Sequence, residues 1–110
     1  MSPPVPIPGQ PVRGSTSGRP VMALFDLLGR AWAMGVVWQL HSGPATFREL
    51  QVRCEGISPS LLNTRLKELR ATGLVEHDGD GYQLTPVGEE LFDRLEPLAD
   101  WSKRWAATLA

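Results

Sequence analysis

The sequence predicts a mainly α-helical domain with one small β-hairpin. Apolar residues recur at helical spacing through most of the chain from Pro20 onward. Capping residues and prolines stand where the helices are expected to begin, and a DGDG run at 78–81 separates two short strand-like segments. The chain has 110 residues, of which 42% are hydrophobic, and this fits one folded domain with a single core.

The N-terminal part of the chain changes character at Pro20. Residues 1–19 are rich in Pro, Gly and Ser, and this composition predicts a flexible, extended arm. Pro20 suits the first turn of a helix and Gly29 suits its C-terminal stop. Residues 31–40 are apolar on every side, which predicts a central buried helix. The folded domain is therefore expected to span 20–110.

The middle of the chain predicts two helices joined by a tight turn. Thr46 and Glu49 form a T-x-x-E capping box for a helix that runs through Cys54. Ser58 caps the next helix, and Gly73 ends it. In a helix-turn-helix the second helix enters the DNA major groove, and a following hairpin reaches the neighbouring backbone. A winged helix-turn-helix is the expected architecture.

The remaining elements complete this architecture. Residues 74–75 and 82–84 are expected to form the two strands of the wing. Thr85 and Pro86 open a last helix, and Pro97 should kink that helix or split it in two.

The second helix of the pair has a polar face that suits the edges of DNA bases. Leu62, Leu66 and Leu69 cluster on its other side. Small hydroxyl and amide groups and one ammonium can hydrogen bond to base edges. An ordinary solvated face is the alternative, although such a face usually alternates Glu and Lys. Base contacts are predicted for Ser58, Ser60, Asn63, Thr64 and Lys67.

Four segments of the chain resemble the HxlR family of winged-helix regulators. They read RPVMALFDLLGRAWAMGVVWQL, TFRELQVRCEGISPSLLNTRLKELRATGLV, YQLTPVGEEL and LADWSKRW, and the resemblance covers about residues 19–106. GISPSLLNTRLKELRATGLV and DWSKRW are the most specific parts. The resemblance implies a homodimer that binds a palindromic operator, with the helix from Ser58 reading DNA and the first and last helices forming the dimer interface.

Three features depart from the pattern of the family. Arg19 stands where many members carry a sensing cysteine, so that mechanism is not expected. Ala31 stands where the family often has Lys, with Arg30 beside it as a substitute. The wing is acidic, and Asp78 and Asp80 at its tip would repel phosphate.

Apolar side chains at both ends of the domain predict a dimer interface. Trp101 and Trp105 lie one helical turn apart beyond the hairpin, whereas Trp32 and Trp38 are expected in the core. An exposed tryptophan pair would form an apolar patch that needs a partner, and packing within the chain is the alternative. The interface is predicted to include Leu24, Phe25, Leu95, Leu98, Trp101 and Trp105.

The expected function is sequence-specific binding of double-stranded DNA by a homodimeric regulator, a repressor, at a pseudo-palindromic operator. Phosphate contacts are predicted for Arg30, Thr46, Arg48 and Arg65. A small-molecule effector is a further hypothesis, with Phe25, Trp32 and Trp101 lining its pocket.

Other function classes have less support in the sequence. A winged-helix module that binds protein and not DNA is the main alternative, because the net charge is −1 and the wing is acidic. No catalytic residue, cofactor or metal site is predicted, since no nucleophile–base pair, metal-ligand spacing or phosphate loop is present. The lone Cys54 is expected to pack in the core. No targeting segment or membrane span is evident, so a cytoplasmic, nucleoid-associated location is expected.

Overall fold

The computed structural model describes residues 4–79 and 81–110, which form six helices and a two-stranded antiparallel sheet. The elements are α1 (Pro20–Leu28), α2 (Ala33–His41), α3 (Phe47–Arg53), α4 (Pro59–Ala71), β1 (Val75–Asp78), β2 (Gly81–Leu84), α5 (Pro86–Leu95) and α6 (Pro97–Thr108). This order confirms the predicted winged helix-turn-helix. Within the described residues no single helix is long and apolar enough to cross a bilayer, and α1 with α2 meets that condition only as a pair bent by 86°.

The core lies where α4 packs against α2 and α3. Leu62, Leu66 and Leu69 of α4 are at most 1% exposed, and Val36 of α2 and Leu50 of α3 are fully buried beside them. Burying a leucine side chain contributes about 1.5–3 kcal/mol of folding free energy. The predicted apolar side of α4 is therefore confirmed as the centre of the core.

Side-chain caps begin the helices at the predicted places. The Thr46 hydroxyl accepts a hydrogen bond from the Glu49 N–H at 3.1 Å, and the Glu49 carboxylate accepts one from the Thr46 N–H at 2.9 Å. Ser58 caps α4 by accepting from the Leu61 N–H at 3.1 Å. These bonds satisfy N–H groups that have no partner within the helix.

The last helix is split in two, which is one of the two predicted effects of Pro97. α5 ends at Leu95, and α6 begins at Pro97. Proline has no N–H to donate to the preceding turn, and its ring clashes with the carbonyl four residues earlier. The helix therefore breaks at Glu96 and restarts at Pro97 as a separate helix.

The prediction that residues 31–40 form a helix buried on every side is wrong. Met34 is 45% exposed and Trp38 is 37% exposed, although the Trp38 ring still meets the Phe92 ring edge-on at 5.1 Å between centroids. Trp32 precedes the helix with φ 69°, and its half-buried ring covers Gly35. A Cβ at Gly35 would lie 2.6 Å from that ring, so the close approach requires glycine. Only one face of α2 lies in the core.

The N-terminal segment, residues 4–19, contacts the domain. The Gly9 N–H donates to the Gly18 carbonyl at 2.9 Å, which closes a loop. Pro6 is buried, and the Arg13 N–H donates to the Asp26 carboxylate of α1 at 3.2 Å. The flexibility of this arm stays a prediction, and residues 1–3 lie outside the described residues.

Candidate nucleic-acid interface

The turn between α3 and α4 directs the polar face of α4 outward. Glu55 and Gly56 adopt left-handed backbone conformations, with φ of 57° and 74°. Ile57 is only 6% exposed, and the Gln51 side-chain amide donates to its carbonyl at 3.3 Å. Because Ile57 is anchored in the core immediately before the cap, α4 leaves the turn with its leucines inward.

The side of α4 opposite these leucines is exposed and polar. A hydroxyl, an amide or an ammonium group is presented by Ser58, Ser60, Asn63 and Lys67, all four of which are exposed. The first turn of α4 also carries backbone N–H groups and a partial positive charge, which favour a phosphate. The surface as a whole, which we call the α4 polar face, offers donors and acceptors suited to base edges and phosphate.

Thr64 lies at the margin of the α4 polar face. Its side chain is half-buried, and its hydroxyl donates to the Ser60 carbonyl at 3.0 Å. Such a bond to the preceding helical turn occupies the only donor of threonine. In this conformation Thr64 is left as an acceptor, so its predicted base contact is restricted to donors such as the amino groups of adenine and cytosine.

The two arginines of α3 differ in their surroundings. Arg48 is exposed, as is the predicted phosphate-contacting residue Thr46 at the start of the helix. Arg53 is half-buried and donates to the Gln39 carbonyl at 3.3 Å and the Gly43 carbonyl at 3.0 Å. Arg48 is therefore the exposed arginine of α3, and its contact with a phosphate stays a prediction.

The prediction that Arg30 contacts phosphate is contradicted by the structure. Its side chain is 4% exposed and forms ion pairs with Asp26, at 3.2 Å, and with Glu68. Burial by itself would lower the pKa of Arg30, but hydrogen bonds and attraction to the two carboxylates outweigh it and raise the pKa above its ordinary value. The guanidinium is permanently charged and committed to the interior.

Arg65 is also committed to the chain. Its side chain is 14% exposed, its Nε donates to the Ala31 carbonyl at 2.7 Å, and its Nη1 pairs with Glu68 at 2.9 Å. These bonds occupy Nε and Nη1, and the phosphate contact of Arg65 stays a prediction. Charge counting along the chain missed the role of Glu68, which is 3% exposed. Glu68 lies at the border of the leucine side of α4, and this position was the sequence signal for its burial and its pairing, since a buried carboxylate needs a cation.

The hairpin is attached to the start of α3 through backbone hydrogen bonds. The Ala45 N–H donates to the Tyr82 carbonyl at 3.0 Å, and the Tyr82 N–H donates to the Ala45 carbonyl at 2.8 Å. A Cβ at Gly81 would lie 2.5 Å from the Ala45 oxygen, so glycine permits this contact. Asp78 is exposed beside the helix-turn-helix, whereas Asp80 lies outside the described residues. The expected repulsion between wing and phosphate stays a prediction.

A second exposed surface lies on α6 and is apolar. No residue of α6 is buried, and Leu98, Trp101 and Trp105 are 50–53% exposed. The two tryptophan rings stack with their centroids 6.0 Å apart. Of the other predicted interface residues, Phe25 is 60% exposed, whereas Leu24 and Leu95 are half-buried. We call Leu98, Trp101 and Trp105 the α6 apolar face.

Comparison with known proteins yields one family and several close folds. The family model described as HxlR-like helix-turn-helix matches residues 27–109. YvaP, an uncharacterized HTH-type transcriptional regulator of Bacillus subtilis, is 31% identical over 73% of this chain and 81% of its own length. Quinone-bound YodB from B. subtilis superimposes with a TM-score of 0.72 at 31% identity, covering 76% of this chain and 96% of that one. A possible HxlR family transcriptional factor from Thermoplasma volcanium has a TM-score of 0.71 at 28% identity, over 80% and 85% of the two chains.

Proposed function

Because the chain belongs to the HxlR-like helix-turn-helix family of DNA-binding transcriptional regulators, we propose that it represses transcription as a homodimer bound to a pseudo-palindromic operator. We propose that the regulator acts by occupying DNA and performs no catalytic step. The observation that carries this proposal is the α4 polar face, which is exposed on a helix whose opposite side forms the core.

The proposed DNA contacts follow from exposure. Ser58, Ser60, Asn63 and Lys67 are assigned to base edges, with Thr64 as an acceptor at the margin. Asn is suited to paired hydrogen bonds with adenine, and Lys is suited to guanine or phosphate. Thr46 and Arg48 are assigned to phosphate, which sets the register of the helix on the duplex without reading sequence.

The α6 apolar face supports the proposed homodimer. Large apolar side chains on a small domain indicate a surface that another protein covers, and tryptophan is enriched among the residues that dominate interface energetics. Phe25 on α1 supplies a further exposed apolar group. A twofold dimer would present two α4 helices to successive major grooves about 34–36 Å apart, which accounts for the proposed symmetry of the operator.

The alternative of a module that binds protein and not DNA is less well supported. Its basis was the net charge of −1 and the acidic wing. The family and relatives named as HTH-type transcriptional regulators favour the DNA-binding class. Local charge also matters more than the total, because a small number of phosphate contacts supplies the non-specific part of DNA affinity.

We propose that any small-molecule effector binds without forming a thiol adduct. One structural neighbour, YodB, is described as quinone-bound. In the present chain the single cysteine, Cys54, is fully buried, and burial raises the pKa of its thiol. A protonated, enclosed thiol reacts slowly with electrophiles. A quinone that shifts the melting temperature of the wild type should therefore shift that of Cys54→Ala equally.

Selection of DNA from a random library by the purified full-length protein tests the proposed function. The expected result is an enriched sequence with two inverted half-sites about 10–10.5 base pairs apart, since one helical turn separates successive major grooves on one face of DNA. Enrichment of a single half-site would contradict the dimeric mode. Absence of any enrichment at moderate salt, with a folded protein, would contradict sequence-specific binding altogether.

A further inference from the structure

We infer that Arg30 and Glu68 are positioning residues for DNA recognition: they clamp the inner edge of α4 to the segment between α1 and α2 and so set the angle at which the α4 polar face meets DNA. The inference rests on the proposed function of that face. It replaces the phosphate contact that the sequence suggested for Arg30 with an indirect role in the same recognition.

The clamp consists of two arginines that share one carboxylate. Arg30 Nη1 pairs with Glu68 Oε2, and Arg65 Nη1 donates to Glu68 Oε1 at 2.9 Å. Arg30 also donates from Nε to Asp26 Oδ1 at 3.2 Å, and Arg65 donates from Nε to the Ala31 carbonyl at 2.7 Å. Arg30 thus links the Glu68 carboxylate of α4 to Asp26 of α1. Both arginines link it to the segment before α2, because Arg30 belongs to that segment and Arg65 donates to its Ala31 carbonyl.

Burial makes this arrangement specific. Arg30 is 7% exposed and Glu68 is 3% exposed, so water does not replace a lost partner easily. A buried ion pair adds little net stability compared with an apolar pair, but removal of one partner leaves an uncompensated charge. Leucine packing is non-directional, whereas the planar guanidinium of arginine donates its hydrogen bonds in fixed directions. Leu62, Leu66 and Leu69 therefore hold α4 in the core, and the clamp selects its orientation there.

The N-terminal segment closes the clamp from outside. Arg30 Nη2 donates to the Pro4 carbonyl at 2.7 Å, and the Arg13 N–H donates to Asp26 Oδ2 at 3.2 Å. Without these bonds, one side of the Arg30 guanidinium and one side of the Asp26 carboxylate would face solvent. Residues 4–19 thereby contribute to the environment that keeps Arg30 aimed at Glu68.

Two acid-to-amide substitutions within the helix-turn-helix, one in α4 and one in the turn before it, test the inference by the sign of their effect. Glu68→Gln removes a negative charge from α4, so a purely electrostatic role predicts tighter binding to all DNA. A positioning role predicts weaker binding to the selected operator by about tenfold, comparable with the loss of one base contact, and unchanged binding to random DNA. Glu55→Gln is the matched control, because Glu55 is exposed in the turn before α4. It should alter both affinities less than about twofold.

The salt dependence of binding separates positioning from direct contact for the other half of the clamp. Arg30→Lys keeps the positive charge but lacks the forked geometry that reaches two carboxylates. If Arg30 positions α4, Arg30→Lys weakens operator binding with no change in the slope of log affinity against log salt. If Arg30 touched phosphate, Lys would preserve the affinity. Unchanged operator affinity in both Arg30→Lys and Glu68→Gln would overturn the inference.

Folding is measured on the same samples by circular dichroism and thermal unfolding. If Glu68→Gln does not fold, Glu68→Asp retains the charge but shortens its reach, and it should show a smaller loss confined to operator DNA. If the wild type selects no DNA, the proposed function has failed on its own. The inference is then judged from backbone amide NMR shifts of the free protein. Changes along α4 in Arg30→Lys would support positioning, and changes restricted to the substituted site would contradict it.

Discussion

Two helices of similar length, α4 with 13 residues and α6 with 12, expose opposite kinds of surface. α4 buries three leucines and presents amide, hydroxyl and ammonium groups to solvent. α6 buries none of its residues and presents a stacked tryptophan pair. An exposed polar face is hydrogen bonded by water, carries no free-energy penalty and is available to a polar ligand such as DNA. An exposed apolar face is unfavourable in water until another protein covers it.

α4 and α6 expose different kinds of surface because they make different contacts with the rest of the subunit. α4 shares the core with residues of α2 and α3 and is tied by Glu68 to Arg30, which is 38 positions away in sequence. α6 begins at Pro97 and packs mainly on α5. One helix therefore derives its stability from the core of its own subunit. We expect the other to derive it from a second copy of the chain.

The largest expected effect comes from shortening a side chain on the buried side of α4. Leu66→Ala removes a group that is 1% exposed and should lower the free energy of unfolding by about 2–5 kcal/mol. Leu109→Ala, next to α6 at 71% exposure, is the matched control and should change it by less than about 0.5 kcal/mol. Urea denaturation measures both. Equal losses would show that the region of α6 is as much part of the core as α4.

The next effect concerns the α6 apolar face. Trp101→Ala should weaken the proposed dimer by about 2–4 kcal/mol, because large aromatic groups dominate interface energetics. Sedimentation equilibrium measures the dissociation constant. Val52→Ala provides the control, since Val52 is 76% exposed but lies on α3. A dimer that tolerates Trp101→Ala, or one that loses affinity equally with Val52→Ala, would place the interface elsewhere.

A smaller effect is expected on the α4 polar face. Asn63→Ala should weaken binding to the selected operator by about 1–3 kcal/mol and leave random DNA unaffected, because a base contact carries sequence information. Arg48→Ala should weaken both and reduce the salt slope by about one. Fluorescence anisotropy with labelled duplexes at several salt concentrations measures both variants. A uniform loss in Asn63→Ala would remove it from the base-reading set.

The smallest effect comes from the cap that starts α3. Thr46→Ala should lower the free energy of unfolding by about 1 kcal/mol, whereas Thr108→Ala at the end of α6 should have little effect. The Thr46 backbone N–H, and to a smaller extent its hydroxyl, lower the pKa of Glu49 below its ordinary value of 4.5 by hydrogen bonding to the carboxylate. Because the folded pKa is depressed, this stabilisation is present above about pH 4.5 and lost as pH falls through the folded value. Wild-type stability should therefore fall more steeply with acid than that of Glu49→Gln, which has no carboxylate to protonate, as thermal unfolding against pH can show.

Sequence reasoning located the elements but assigned some charges incorrectly. The sequence predicts the capping box of Thr46 and Glu49, the cap at Ser58 and the break at Pro97. Each of these features depends on residues within four positions of one another. The helical spacing of the leucines likewise predicts which side of α4 lies in the core. Arg30 is assigned to phosphate by sequence reasoning because a cation beside a DNA-binding helix is normally exposed.

What the sequence by itself determined is the order of the helices, the hairpin and the polar side of α4, since helix caps, turns and hydrophobic periods are local properties of the chain. Only the tertiary structure decided which charges remain accessible. Arg30 meets Glu68 because the segment between α1 and α2 lies against α4, and Trp38 is partly exposed because α5 covers one edge of its ring. Solvent exposure depends on every neighbour in space, and neighbours that are distant along the chain leave no periodic signal in it.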